Sequence, residues 1–215
     1  FSNYTIVSEN RLVKKPSWVP FDEAVLFGCA LPTGGGMALH NFNKNHEIVT
    51  IIGLGGIGLS ALLTLKELGA TKIIAVDTIK NKREMALNHG ANICLDPTTS
   101  DFAYEYKKYA PLGCDLCIEA GGSVNTIELG FSLINSTKGH LVFASHPPNN
   151  QKISLFPHEL ISGKKITGSW GGGINPDTDI DKLCEIFYRK KNILSSLITK
   201  KYELEEINIA LKDLS

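Results

Sequence analysis

The sequence predicts an α/β fold, a doubly wound parallel sheet with helices on both faces. Three observations carry that expectation. Five short segments between residues 46 and 146 are apolar along their whole length, as strands buried on both faces are. Segments with apolar residues at helical spacing alternate with them. Gly69, Gly90 and the pair Asp96-Pro97 punctuate the junctions. Parallel neighbours joined in this way wind right-handed.

The elements follow in order. Ile48 to Ile52 reads as the first strand, and Leu59 to Leu68 as a helix closed by Gly69. Lys72 to Val76 is the second strand, followed by a helix ending at Gly90. Ala91 to Leu95 is the third strand, and a tyrosine-rich helix covers about 101–109. Leu116 to Ile118 is the fourth strand. The next helix buries Val124, Ile127, Phe131 and Ile134 on one face. His140 to Ala144 is the fifth strand, and Lys165 to Gly168 adds one more. A last helix places Asp177, Asp179 and Asp181 at its start and Arg189-Lys190-Lys191 at its end, matching the helix dipole. It buries Ile180, Leu183, Cys184 and Phe187. Ahead of this series, Tyr4 to Val7 reads as a short strand, and Asp22 caps a short helix through Phe27. Pro32 and Gly34-Gly35-Gly36 interrupt the chain before a second short helix through His40.

Composition narrows the function. The chain has 215 residues, with 22 Lys+Arg against 22 Asp+Glu, and 43% are hydrophobic. Such a chain is not disordered, and a balanced charge gives no field to attract nucleic acid. The uncharged stretch 48–65 contains Gly53, Gly55, Gly56 and Gly58, which break any membrane-spanning helix. The opening Phe1-Ser2-Asn3-Tyr4 carries no leader-like pattern. Five cysteines at 29, 94, 114, 117 and 184 form no disulfide framework, which favours a reducing, cytoplasmic setting. Cys114 and Cys117 lie in an apolar run whose alternation points them to opposite faces, against a redox pair or zinc knuckle.

The strongest chemical signal is Gly53-Leu54-Gly55-Gly56-Ile57-Gly58, between a strand and a helix. Gly53 permits the tight turn, Gly55 keeps side-chain atoms away from a pyrophosphate, and Gly58 lets helix and strand pack closely. The helix start offers unpaired amides and a positive dipole end to phosphate. Asp77, 19 residues beyond Gly58, ends the next strand, where it accepts hydrogen bonds from both hydroxyls of an adenosine ribose. Its charge repels a 2′-phosphate, which favours NAD over NADP. Lys80, Lys82 and Arg83 nearby weaken that preference. Strand, turn, helix and acid together are the pattern of a Rossmann dinucleotide-binding fold.

These residues also resemble a family. Gly28-Cys29-Ala30-Leu31-Pro32-Thr33-Gly34, the run Ile52 to Ser60, and Ile74-Ala75-Val76-Asp77 are similar to the cofactor domain of zinc-containing, medium-chain alcohol dehydrogenases. Gly163 to Gly173 and Pro176 to Ile180 look like its class III-type branch. The resemblance implies hydride transfer between an alcohol, or the matching aldehyde or ketone, and NAD. It implies that Cys29 is a ligand of a catalytic zinc and that Thr33 lies beside the nicotinamide as the catalytic-site residue. It places Gly53 to Gly58 at the pyrophosphate, Asp77 and Lys82 at the adenosine ribose, and Ala144, Ser145 and His146 at the nicotinamide carboxamide. His146 departs from the small apolar residue expected there.

The resemblance further implies three parts: residues 1–20 from a catalytic domain, 21–170 as the NAD-binding domain, and a helical part over 171–215. Zinc belongs to the complete enzyme rather than to this chain alone, so these residues by themselves should be nearly inactive. The edge from Lys165 to Trp170 implies a homodimer. Two other readings are weighed: a non-enzymatic NAD-binding module acting with a partner chain, and a methyltransferase, which the tight glycine pattern disfavours.

Overall fold

The computed structural model describes residues 4–9, 12–188, 193–198 and 200–213. Among them, β1 (Val49–Ile52), β2 (Ile73–Val76), β3 (Ile93–Leu95), β4 (Leu116–Glu119), β5 (His140–Phe143) and β6 (Lys165–Gly168) form one parallel sheet. The spatial order is β3-β2-β1-β4-β5-β6. The winding reverses between β1 and β4, which leaves a crevice beyond the carboxyl end of β1.

The apolar character of the strands has a direct cause. Val49, Ile51, Ile73, Ala75, Leu116 and Ile118 face one helix layer, which holds α2 (Ala30–Asn41) and α3 (Gly56–Glu67). Ile52, Ile74, Val76, Cys117 and Leu141 face the other, against α5 (Phe102–Tyr109) and α6 (Val124–Leu133). With both faces covered, the central strands β1, β2 and β4 have no solvent-facing register of polar residues, whereas the edge strand β6 exposes Lys165 and Thr167. Thr50 is the polar exception in β1, and its hydroxyl lies 2.7 Å from the Tyr106 hydroxyl. After the short helix α7 (Pro157–Ile161), α8 (Pro176–Tyr188) adds a third cluster, packing Leu183 and Phe187 against Leu31 and Leu63.

The amino-terminal expectations need correction. Residues 4–8 form no strand, and Ile6 is fully exposed. α1 runs only from Phe21 to Ala24 and tightens into a 3₁₀ turn over Val25–Gly28; its N-cap is Pro20, not Asp22. Asp22 instead pairs with Lys201 at 2.8 Å. Pro32 and the glycine triplet do not interrupt a helix: α2 is continuous through them. Pro32 sits in the first turn, where a missing amide costs nothing. The glycines are there for packing. A Cβ at Gly34 would fall 1.9 Å from the Ile57 carbonyl oxygen, and one at Gly36 would fall 2.5 Å from the Gly172 carbonyl oxygen.

α3 begins at Gly56, three residues earlier than expected, and Gly69 follows it at φ +93. Cys114 and Cys117 do not point to opposite faces. Cys114 precedes β4, outside the alternation, and both thiols lie in the same core cluster. In α8, Leu183, Cys184 and Phe187 are buried and Ile180 is half-buried, and Asp177 and Asp179 occupy the first turn. Arg189, Lys190 and Lys191 lie outside the described residues.

The amino-terminal edge of the sheet collects titratable groups. Burial lowers the pKa of His46, against the opposing pull of Asp115, and burial with the Lys165 charge lowers that of His140. Burial opposes ionisation of Asp115, but Lys138 at 2.8 Å and the amides of Ile48 and Glu47 outweigh it and hold its carboxyl low. An unfolded histidine titrates near ~6.5. Where the folded pKa is the lower one, the unfolded chain binds more protons, so stability present above ~6.5 is lost as pH falls toward the folded value. The urea midpoint should therefore drop between pH ~7.5 and ~5.5, and His140→Gln should flatten that slope. A midpoint that rises on acidification contradicts this.

Candidate nucleotide site

The crevice at the end of β1 is built by three glycines with different tasks. Gly53 lies at φ +84, where a Cβ would press within 2.6 Å of the Ala120 carbonyl. Gly58 is closed more tightly, because a Cβ there would fall 1.8 Å from the Gly53 carbonyl oxygen. Gly55 is the opposite case: nothing lies within 4 Å of where its Cβ would be. It borders open space, as a cradle for a bulky anion requires. The first intrahelical bond of α3 runs from the Leu59 amide to the Gly55 carbonyl. The amides of Gly56, Ile57 and Gly58 precede it, at the positive end of a 12-residue helix. Leu54 turns inward and is buried in the core.

Asp77 follows β2 directly and is drawn into the same turn. Its Oδ2 accepts from the Leu54 amide at 2.7 Å, and its Oδ1 accepts from the Ile79 amide at 2.8 Å. These bonds hold the carboxylate beside the glycine turn and leave lone pairs for a further donor. Lys82 is half-buried nearby on α4 (Lys80–Asn88) and makes no ion pair among the described residues. Lys80 lies 3.7 Å from Glu84. Arg83 donates to the Asp77 carbonyl at 2.7 Å and pairs with Asp96 at 3.0 Å.

On the other side of the crevice, Ala144 and Ser145 are buried just beyond β5. His146 is exposed, its ring edge-on to Trp170 at 5.1 Å. Sequence reasoning missed the residue that organises this side. Glu119 ends β4, fully buried, and its Oε1 accepts from the Gly121 amide at 2.6 Å and from the Ser145 hydroxyl at 2.8 Å. The Ser145 Oγ in turn accepts from the Gly122 amide at 2.6 Å. Glu119 Oε2 has no partner among the described residues. The signal was present: a charged residue ending an otherwise apolar strand, directly before Ala120 and two glycines.

Cys29 and Thr33 stand at the start of α2, where the Thr33 amide donates to the Cys29 carbonyl at 3.0 Å. Cys29 is exposed and Thr33 buried. Both line a cavity of about 750 Å³ with Phe21, Ile174, Trp170 and Cys184. A catalytic zinc takes three protein donors and an open position. Among the described residues no group of three or more His, Cys, Asp or Glu side chains is placed to hold a metal ion. Cys29 is one donor, and the residues described do not by themselves fit zinc. No helix among them is long and apolar enough to cross a membrane.

A parallel sheet with its reversal point beside a glycine turn, and an acid at the end of the second strand, defines the Rossmann class of α/β protein. The chain belongs to the zinc-binding dehydrogenase family, whose model matches residues 56–203. Among solved structures it is similar to benzyl alcohol dehydrogenase from Acinetobacter calcoaceticus, at 29% identity and a TM-score of 0.87 over 95% of this chain and 57% of that one. An alcohol dehydrogenase zinc-binding domain protein from Burkholderia ambifaria matches at 26% identity and 0.87, covering 95% and 55%. An alcohol dehydrogenase from Thermus sp. ATN1 shares the fold at 21% identity and 0.82, covering 93% and 57%. The chain thus spans a little over half the length of these proteins.

The two glycines make opposite predictions. Gly58→Ala forces backbone apart and should destabilise the chain by about 1–3 kcal/mol in urea unfolding. Gly55→Ala enters open space and should leave the midpoint in place. Equal effects on stability contradict the assigned geometry.

Proposed function

We propose that this chain carries the NAD-binding part of a zinc-dependent alcohol dehydrogenase, which transfers hydride between an alcohol, or the corresponding aldehyde or ketone, and NAD. The observation that carries the reading is the Asp77 carboxylate fastened to the Leu54 amide beside the open flank of Gly55. Residues Gly53, Leu54, Gly55, Gly56, Ile57 and Gly58 form the pyrophosphate cradle. Asp77 and Lys82 hold the adenosine ribose. Ala144, Ser145 and His146 border the nicotinamide, with the Glu119–Ser145 bond fixing the segment. Thr33 lies at the same end, inside the cavity that Cys29 borders. The bound dinucleotide supplies the hydride acceptor, and the protein supplies its binding and orientation.

Cys29 supplies one zinc donor in this reading, and the other donors come from residues beyond those here. The three-part division at 20 and 170 follows from the same reading. The exposed edge strand β6 supports pairing with a second copy. Five free thiols support a reducing, cytoplasmic setting.

Titration calorimetry of the chain with NAD tests the reading. NAD should bind, Asp77→Ala should weaken it by about tenfold, the loss of a charged hydrogen-bond partner, and NAD should bind better than NADP. Absence of binding at millimolar NAD defeats the proposal. Alcohol-dependent NADH formation with added zinc should be negligible for these residues alone. Sedimentation should show a dimer that Ile166→Lys weakens, and a strict monomer removes the pairing at β6.

A further inference from the structure

Arg83 is one of the three cations expected from the sequence to weaken a preference for NAD, and the structure shows it engaged with two other residues. Its side chain, 19% exposed, folds back over the end of β2. One terminal nitrogen donates to the Asp77 carbonyl at 2.7 Å and lies 3.0 Å from Asp96 Oδ2. The guanidinium is therefore anchored on the very residue whose carboxylate faces the crevice. Asp96 follows β3 and is itself pinned. Its Oδ1 accepts from the Thr98 amide at 2.9 Å and from the Thr98 hydroxyl at 2.6 Å. These Thr98 bonds, and then Arg83, hold its carboxyl below the usual range.

The charges decide what such an arrangement admits. Asp77, Asp96 and Arg83 sum to one net negative charge, which Lys82, placed at the ribose in the same reading, brings to zero. A ribose 2′-hydroxyl meets no penalty there. A 2′-phosphate meets repulsion from both carboxylates, and Arg83 can turn to it only by leaving Asp96 bare beside the same phosphate. A planar guanidinium is otherwise well suited to binding phosphate in a bidentate way. With the Asp96 charge gone, Arg83 is released and the local sum rises by one positive charge.

We propose that Asp96 is a specificity-determining positioning residue: by holding Arg83 on the Asp77 carbonyl, it keeps the guanidinium from a ribose 2′-phosphate and restricts the site to adenosine nucleotides with a free 2′-hydroxyl. The inference rests on the reading above that the adenosine ribose lies against Asp77. It adds a second acid, on a different strand, to the one that touches the sugar.

Calorimetry with 5′-AMP and adenosine 2′,5′-bisphosphate as probes tests it on the chain as it stands. The quantity read is the affinity ratio of the bisphosphate to 5′-AMP. Asp96→Asn keeps an oxygen for the Thr98 amide and should raise that ratio by about fivefold, the fold-change of a partly exposed ion pair. Asp96→Ser serves the same purpose should the asparagine variant fail to fold. Adding Arg83→Met to Asp96→Asn should abolish the rise, as a double-mutant cycle requires. Glu84→Gln removes one acid from the same helix without touching Arg83 and should leave the ratio alone. A ratio unmoved in the Asp96 variants, a rise that survives loss of Arg83, or an equal rise in Glu84→Gln overturns the proposal. When 5′-AMP binds and the ratio stays flat, only this inference falls. When neither probe binds the wild-type chain, the cradle itself is wrong.

Discussion

The whole site depends on how closely β1 and α3 approach each other. The chain leaves the sheet at Gly53 and enters the helix within three residues, and backbone at Gly58 returns to within contact of the Gly53 carbonyl. No side chain fits that gap. The same closeness continues outward, since α2 lies against α3 with Gly34 pressed on the Ile57 carbonyl. Two helices and a strand are stacked by leaving out β-carbons. The result is a helix start held rigidly at the point where the sheet reverses direction, with its leading amides toward the crevice.

Acids then settle where those backbone donors are. Asp77 accepts from Leu54 and Ile79, and Glu119 accepts from Gly121 and from Ser145. Both stand at carboxyl ends of strands that flank β1, one on each side. Amides and one serine hydroxyl, rather than lysines, satisfy them, so each carboxyl group is positioned without a salt bridge. A charged donor set would have cancelled the field that an adjacent sugar or amide group meets. Fixed dipoles orient the acid and leave acceptor capacity for a guest.

Much of this was legible in the sequence for a physical reason. Strands covered on both faces must be apolar throughout, so β1, β2, β4 and β5 stand out as uninterrupted runs. The glycine turn and Asp77 are legible because backbone proximity excludes side chains at fixed spacing. What the sequence concealed was decided by tertiary packing. Pro32 and Gly34-Gly35-Gly36 look like breakers, yet α2 runs through them because α3, Gly172 and Leu183 occupy the space of the missing side chains. Tyr4 to Val7 has strand composition but no neighbouring strand among the described residues. Cys114 escaped the alternation argument because β4 begins two residues later. The engagement of Arg83 with Asp96 joins residues on α4 and beyond β3, which no local pattern connects.

The two ends of the candidate site differ in completeness. On the side proposed for the nucleotide, the glycine turn, the helix start, Asp77 and the loop beyond β5 all come from this chain and are tied together by its own hydrogen bonds. On the metal side the thiols of Cys29 and Cys184 border a cavity with an apolar wall, and Cys184 is itself packed into the cluster around Leu183 and Phe187. Binding a dinucleotide and activating an alcohol are thus separable properties in the proposed reading. The first depends on geometry the sheet itself enforces. The second depends on a donor set of at least three, which one cysteine cannot supply. In that reading a change at Asp77 or Gly55 acts on nucleotide affinity directly, whereas a change at Cys29 acts only where further donors complete the site.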